Sequence, residues 1–257
     1  MPTYWVVVEY DGTHFSGLQF QPEDRTVAGE LERALSAIFA EPIKIGSAGR
    51  TDAGVHASGQ VVSFRSARLM APERLTLALN GNLPYDISVR AAGIAPDGFS
   101  ARFDARERRY TYRIVNRRER SSLERRFAHH VYLPIDVDLA RRAVRDAVGQ
   151  HDFVAFCGVL PERGTTVRTV NAIDIVADGE LLAIRISGLG FLHRMVRILV
   201  GTTIEIATGR REPADVAAII ASRDRRRAGY TAPACGLTLA GVRYDDFDSE
   251  TVGRQSS

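Results

Sequence analysis

The sequence has little cysteine and no long apolar run, and these scarcities exclude several classes of protein. The chain has 257 residues and two cysteines, Cys157 and Cys235, which form no C-x-x-C pair. A disulfide scaffold and the common zinc motifs are therefore excluded, and both cysteines are interpreted as reduced thiols. No segment approaches the roughly 20 consecutive apolar residues of a membrane-spanning helix, and the N-terminal apolar run is too short for a secretory signal. We expect a cytoplasmic protein.

Lysine is also scarce. Lys44 is the single lysine among the 34 basic residues, so all the others are arginine, and the net charge is +3. A coding bias could place these arginines on solvated surfaces, or the guanidinium groups could serve contacts with phosphates and stacked bases. Arginines are concentrated between residues 102 and 126 and are mixed there with aromatic side chains, which is typical of nucleic-acid surfaces. This basic stretch contains Arg102, Arg106, Arg108, Arg109, Arg113, Arg117, Arg118, Arg120, Arg125 and Arg126, with Phe103, Tyr110 and Tyr112.

Hydrophobic periodicity predicts a mixture of strands and helices without strict alternation. Strands are predicted at 4–10, 44–47, 60–65, 87–94, 108–115, 170–176, 181–187 and 237–244. Helices are predicted at 27–39, 72–80, 136–148, 191–208 and 214–222. The pattern indicates an α+β fold of two mixed α/β halves with largely antiparallel sheets. We assign residues 1–105 to an N-terminal half, 106–245 to a C-terminal half and 246–257 to a polar tail, and we expect the chain to fray from Asp245 onward.

A glycine-bounded segment from Gly49 to Gly59 is predicted to be a loop between two strands. It presents Arg50 and Asp52 where the backbone can approach a ligand closely. The neighbouring arginine favours the charged carboxylate that a nucleophile requires. The alternative is that Asp52 forms a turn by bonding its own backbone. A phosphate-cradling loop is set aside, because the spacing matches neither G-x-G-x-x-G nor the P-loop.

The helix predicted from Phe191 brings His193, Arg197 and Gly201 to one face, since they are spaced four residues apart. An arginine on an otherwise apolar helix requires a carboxylate or phosphate partner, unless its side chain extends to solvent.

Tyr110 and Tyr112 alternate with polar residues and are predicted to share one face of a strand. They either belong to the core or form a platform on which bases stack.

The remaining basic and histidine residues give weaker signals. His129, His130 and His151 have no companions at metal-ligand spacing, so structural or surface roles are expected. His56 is a candidate for orienting the loop or contacting RNA. The run Arg225 to Arg227 is interpreted as a solvated loop, with RNA phosphate contact as the alternative.

Several motifs together resemble the tRNA pseudouridine synthase A family, and the resemblance runs from Val8 to about Tyr244. In chain order they are Tyr10-Asp11-Gly12-Thr13 with Phe15, Gly17, Gln19 and Gln21; Gly49-Arg50-Thr51-Asp52-Ala53-Gly54-Val55-His56-Ala57 with Gln60; Asn80 to Pro84 with Asp86-Ile87; Ala101-Arg102-Phe103; Arg109-Tyr110-Thr111-Tyr112; His151-Asp152-Phe153; Phe191-Leu192-His193-Arg194-Met195-Val196-Arg197; and Gly236-Leu237-Thr238-Leu239. The segment around Asp52 is the most specific of them.

The resemblance implies two similar α/β halves joined across a central basic cleft that holds RNA, in a homodimer without cofactor or metal. It implies that the substrate is uridine in the anticodon stem-loop of tRNA, at tRNA positions 38, 39 and 40. Asp52 corresponds to the catalytic nucleophile, and Tyr110 to the tyrosine that stacks on the target uracil. Arg197 matches the arginine that pairs with the aspartate, and Arg50 the arginine implicated in displacing the target base.

Two other functions stay open at this point. One is a catalytically silent RNA-binding protein in which Asp52 only shapes its loop. The other is a pseudouridine synthase that acts on another RNA or on other tRNA positions.

Overall fold

The computed structural model describes residues 1–212 and 215–252 and divides the chain into two compact units. Unit 1 comprises Met1–Arg108 together with the C-terminal segment that begins at Leu239, and unit 2 comprises Arg109–Thr238. Both units combine helices with largely antiparallel strands. The predicted α+β class is therefore confirmed.

The elements follow in chain order. The strands are β1 (Thr3–Tyr10), β2 (Gly46–Ser47), β3 (His56–Arg65), β4 (Ile87–Ala95), β5 (Glu107–Asn116), β6 (His129–Val131), β7 (Gly149–Asp152), β8 (Val167–Asp178), β9 (Leu181–Gly188) and β10 (Leu237–Arg243). The α-helices are α1 (Val27–Phe39), α2 (Pro72–Asn82), α3 (Val137–Val144), α4 (Met195–Ala207) and α5 (Asp215–Ser222).

In unit 1 the strand order is β4-β1-β3-β10, with β2 added to β3. β1 runs antiparallel to both of its neighbours, so that Val6 lies opposite Val62 on one side and Ala92 on the other. Helix α1 begins where predicted, because the Thr26 hydroxyl oxygen accepts a hydrogen bond from the Gly29 amide. Its apolar face is buried, as the periodicity of the sequence requires.

In unit 2 the strand order is β5-β9-β8-β7, and β6 pairs parallel to β5. The predicted hairpin is present: β8 and β9 pair up to Asp178 and Leu181, with Gly179 at a φ of 57° in the turn. Helix α4 is buried along most of its length. The short strands β6 and β7 have no clear alternation in the sequence and were not predicted.

Several predicted boundaries are wrong. The helix predicted to end at residue 148 ends at Val144, where a 3₁₀ turn follows. The loop predicted to extend to Gly59 ends earlier, because β3 begins at His56 and pairs with β1 opposite Tyr10. The helix predicted from Phe191 begins at Met195, after Arg194 adopts a left-handed φ of 59°. His193 therefore lies outside the helix and does not share a helix face with Arg197.

The predicted fraying is wrong for residues 245–252. The Ser249 side chain is fully buried, and its hydroxyl donates to the Gly59 carbonyl (2.7 Å) and accepts from the Val242 amide (2.8 Å). Phe247 stacks on Trp5 and on Tyr244. These contacts add the segment to unit 1. Residues 253–257, and the predicted helix start at Ala214, lie outside the described residues.

Within the two described ranges, no helix combines the length and the apolar character needed to cross a membrane.

Candidate active site

The residues of the loop between β2 and β3 differ in their exposure to solvent. Arg50 and Ala53 are exposed, Thr51 is buried, and Asp52 between them is half-buried. The Arg50 guanidinium and the Asp52 carboxylate thus flank Thr51, whose side chain is fixed in the core of unit 1. A carboxylate in this position is accessible to a substrate and is also restricted in its movement.

Thr51 is the fixed point of this loop. Its hydroxyl shares a 2.8 Å hydrogen bond with the buried Tyr10 hydroxyl, and its carbonyl accepts from the Leu18 amide at 3.1 Å. The buried Gln60 side chain donates to the Gly49 carbonyl at 2.8 Å. Arg50 is consequently held from both sides, and Asp52 follows directly after a residue with two hydrogen-bond partners.

Burial raises the pKa of the Tyr10 hydroxyl to about 12, against the opposing effect of its hydrogen bonds with Thr51 and Gln60. The hydroxyl therefore keeps its proton at neutral pH and remains a neutral hydrogen-bonding group beside the loop.

A second loop, residues 11–18, packs closely against the first. A Cβ atom at Gly12 would lie 2.0 Å from the Val55 carbonyl oxygen, and one at Gly17, whose φ is +96°, would lie 2.8 Å from the Thr51 carbonyl oxygen. His56 joins the two loops, since its Nδ1 accepts from the Gly12 amide at 3.0 Å. The ring is 3% exposed. Of the two roles considered for His56, orienting the loop is the one that this burial supports.

Replacing Tyr10 by phenylalanine is expected to lower kcat about tenfold, with KM changed less than about twofold, because one buried hydrogen bond that fixes Thr51 is lost. Thr51→Ser, which keeps the hydroxyl, should retain most of the activity. Steady-state kinetics with the RNA substrate that the family resemblance implies measure both kcat and KM.

Tyr4→Phe is the matched control for this prediction. The Tyr4 hydroxyl is also on β1 and accepts from the Met70 amide at 2.8 Å, away from the Asp52 loop. Both variants should lose ~1 kcal/mol of unfolding free energy. An equal loss of kcat in Tyr4→Phe would show that general destabilisation, rather than positioning of Asp52, explains the effect.

In unit 2, Tyr110 and Tyr112 lie on the same face of β5, as their alternation predicts. Tyr112 is a core residue: its side chain is fully buried and its hydroxyl donates to the Pro233 carbonyl at 2.9 Å. Tyr110 is 8% exposed, and its ring meets Phe191 edge to face at 5.3 Å between centroids. This contact restricts the orientation of the Tyr110 ring.

Arg197 lies in the first half of α4 and is half-buried. Its Nε donates to the Ala232 carbonyl at 2.8 Å, and its own carbonyl accepts from the Ala232 amide at 3.1 Å. One turn further, a Cβ atom at Gly201 would lie 2.0 Å from the Tyr230 carbonyl oxygen. Because Gly201 has no side chain, residues 230–232 lie directly on α4, beside Arg197.

The arginines of the basic stretch have different roles. Arg108 is buried and donates to the carbonyls of Ala48 and Arg102, so it is structural and the nucleic-acid interpretation is wrong for it. Arg113 pairs with Glu124 at 2.9 Å, and Arg117 with Glu180 at 2.9 Å. Arg102, Arg118, Arg120 and Arg125 are exposed, and for these the nucleic-acid interpretation stays a prediction.

In the run from Arg225 to Arg227, Arg226 pairs with Asp224 at 2.8 Å, and Arg225 donates to the Gly229 carbonyl at 3.1 Å. These local contacts favour the solvated-loop interpretation.

Both cysteines are free. In the part of the chain that the structure describes, no cluster of three or more histidine, cysteine, aspartate or glutamate side chains is arranged to hold a metal ion.

Sequence reasoning missed the support that Tyr10, Gln60 and Thr51 give to the loop. Tyr10 and Gln60 were recognised as motif residues, but no contact between them and the loop was predicted. One signal was available: both are hydrogen-bonding residues within otherwise apolar strands, where a buried polar group requires a partner.

Comparison with known proteins shows what the chain resembles. A model of the family described as tRNA pseudouridine synthase matches residues 6–104 and 143–245. The tRNA pseudouridine synthase A of Brevibacillus brevis is 42% identical over 238 residues, covering 93% of this chain and 98% of the relative. The proteins of the same name from Geobacillus kaustophilus and Bacillus subtilis are 43% and 41% identical, again over 93% of this chain and over 93% and 98% of their own lengths.

Proposed function

The chain belongs to the tRNA pseudouridine synthase family, and on that premise we propose that it isomerises uridine to pseudouridine in the anticodon stem-loop of tRNA, at tRNA positions 38, 39 and 40. As a member of the family it is an isomerase that acts on tRNA. The observation that carries the proposal is the Asp52 loop, where a half-buried carboxylate follows a threonine that is anchored to Tyr10 and Leu18.

We assign Asp52 the role of nucleophile. The reaction breaks the N1–C1′ bond, turns the uracil and joins C5 to C1′, without net oxidation, reduction or hydrolysis. A carboxylate can begin it by attacking C1′, by adding to C6 or by removing the 2′ proton, and all three routes start from the same ionised group. The proposal holds for each route.

We assign Tyr110 and Arg50 to contacts with the target base during its displacement. The base must leave its stack, which costs a few kcal/mol, and a side chain that fills the vacated space reduces that cost. Arg50 is exposed beside Asp52 and carries a planar cation suited to this purpose. Tyr110 offers a ring for stacking, which is worth ~1–3 kcal/mol per base.

Arg197 is assigned as the cationic partner of Asp52. Its backbone and its Nε are held by Ala232, so the guanidinium group has a fixed direction. The family resemblance supports this pairing, in which a cation with a fixed direction restricts the orientation of a carboxylate.

We extend the proposal to a homodimer, which the family resemblance supports, and to the cytoplasm, the compartment expected from the sequence. Light scattering on the purified protein should give the mass of two chains; the mass of one chain would contradict the dimer.

Incubation with unmodified tRNA is expected to produce pseudouridine in the anticodon arm. Carbodiimide-dependent primer extension maps each pseudouridine as a stop, and the same protein with Asp52→Asn provides the blank. Stops at tRNA positions 38, 39 or 40 support the proposal. Stops elsewhere would redirect the substrate, and no stops despite measurable tRNA binding would favour the silent RNA-binding protein.

A further inference from the structure

A pocket of about 520 Å³ opens in unit 2 near the C-terminal end of β5. Its walls come from the end of β5, the loop that follows it, the start of β6 and the segment after Tyr230. Neither Tyr110 nor Arg197 lines it. Its volume lies in the range of sites that hold small ligands. The lining residues are Val115, Arg120, Ser121, Ser122, Glu124, Arg125, Ala128, His129, His130, Pro233 and Cys235.

The charged side chains of this pocket that have no ion-pair partner among the described residues are positive. Glu124 is the carboxylate in the lining, and its charge is already matched by Arg113 at 2.9 Å. Arg120 and Arg125 are exposed, and no hydrogen bond or ion pair within residues 1–212 and 215–252 engages either guanidinium group. Two unmatched cations at the mouth of one pocket favour an anionic ligand.

The His129 ring forms part of the wall. Nδ1 of His129 is buried and has no hydrogen-bond partner among the described residues. The ring packs roughly perpendicular to Tyr112 and Tyr230, with centroids 6.2 Å away in both cases. Burial, with a smaller contribution from His130, lowers the pKa of His129 to about 4, so the ring is neutral at neutral pH. The neutral ring adds no charge of its own, so the positive charge of the pocket comes from the two arginines.

We propose that this pocket binds one nucleotide of the tRNA substrate other than the target uridine, with its phosphate on Arg120 and Arg125 and its base or ribose against His129. A phosphate by itself would leave most of the volume empty. The inference rests on the proposed tRNA activity and gives that substrate a second point of attachment. Contacts remote from the reacting bonds contribute affinity for the substrate.

The paired substitution Arg120→Gln and Arg125→Gln is expected to raise the Kd for tRNA about tenfold and to raise KM by a similar factor. The slope of log Kd against log salt concentration should fall by about 1, which corresponds to one lost phosphate contact. Filter binding at several salt concentrations measures both quantities.

Arg142→Gln and Arg145→Gln form the matched control. Both arginines are exposed in unit 2, outside the pocket lining, and the change in charge is the same. The control should change Kd less than about twofold. Equal changes in Kd and in slope for the two pairs would overturn the proposal, because the effect would then be one of overall charge.

Cys235 provides an independent readout within the lining. In the full chain with Cys157→Ser it is the only thiol, and saturating tRNA should slow its alkylation by a small maleimide at least fivefold, as followed by intact mass. An unchanged rate would overturn the proposal. The two proposals fail in different ways. If only the pocket proposal is wrong, the protein still forms pseudouridine, and substituting Arg120 and Arg125 leaves the Kd for tRNA unchanged. If the proposed function is wrong, the unsubstituted protein forms no pseudouridine.

Discussion

Asp52→Asn is expected to lower turnover by at least about 10³-fold, the scale of losing a catalytic nucleophile. The amide has almost the same size as the carboxylate but cannot attack C1′ or C6 and cannot remove the 2′ proton. The Kd for tRNA should change less than about twofold, since the phosphate contacts that dominate RNA affinity are untouched. Tritium release from 5-tritiated uridine in tRNA measures the turnover, and filter binding measures Kd.

Asp97→Asn serves as the control for this substitution. Asp97 is exposed in a turn of unit 1 and has the same change in charge. It should keep full activity. If Asp52→Asn retains more than about a tenth of the activity while Asp97→Asn is normal, Asp52 is not the nucleophile and the alternative of a turn-forming aspartate gains support.

Gly201→Ala is expected to lower the free energy of unfolding by ~3 kcal/mol, because its Cβ would lie 2.0 Å from the Tyr230 carbonyl oxygen. Such a distance forces residues 230–232 away from α4. The Ala232 carbonyl that binds Arg197 would move with them, so activity should also fall at temperatures where the variant is still folded. Thermal unfolding followed by circular dichroism should show a decrease in Tm of roughly 6–12 °C.

Gly81→Ala is the matched glycine substitution. Gly81 lies in α2, and nothing would lie within 4 Å of its Cβ. Alanine has the higher helix propensity, so this variant should gain ~0.5–1 kcal/mol of stability and keep its activity. A Gly201→Ala protein as stable as Gly81→Ala would contradict the close packing of residues 230–232 on α4.

Local signals predicted much of the secondary structure. Helix α1 begins at Val27 and ends at Phe39 because a threonine cap and a helical apolar repeat agree with each other. The β8–β9 hairpin follows from Asp178-Gly179, which supplies the positive φ of its turn. These features depend on interactions between residues within a few positions of one another, and a local sequence pattern predicts such interactions.

The errors occur where distant residues decide the structure. The polar end of the chain was predicted to fray, yet Ser249 and Phe247 are held by Gly59 and Trp5, far away in sequence. The α4 helix was predicted to begin at Phe191, but the chain there is tied to a loop through the Gly158 amide and the His193 carbonyl, 2.9 Å apart. No local pattern contains such contacts.

For the candidate site, the sequence by itself indicated the family, through a specific motif around Asp52, and comparison shows that family. The roles of Asp52, Arg50, Tyr110 and Arg197 stay predictions. Only the tertiary structure decided what supports these residues. Thr51 is anchored by Tyr10 and Leu18, and Arg197 by Ala232. It also decided which arginines are already used, since Arg108 is buried in unit 1 while Arg120 and Arg125 lie at an open pocket. The physical reason is that residue type sets what a side chain can do, whereas burial and hydrogen-bond partners depend on segments that the sequence keeps far apart.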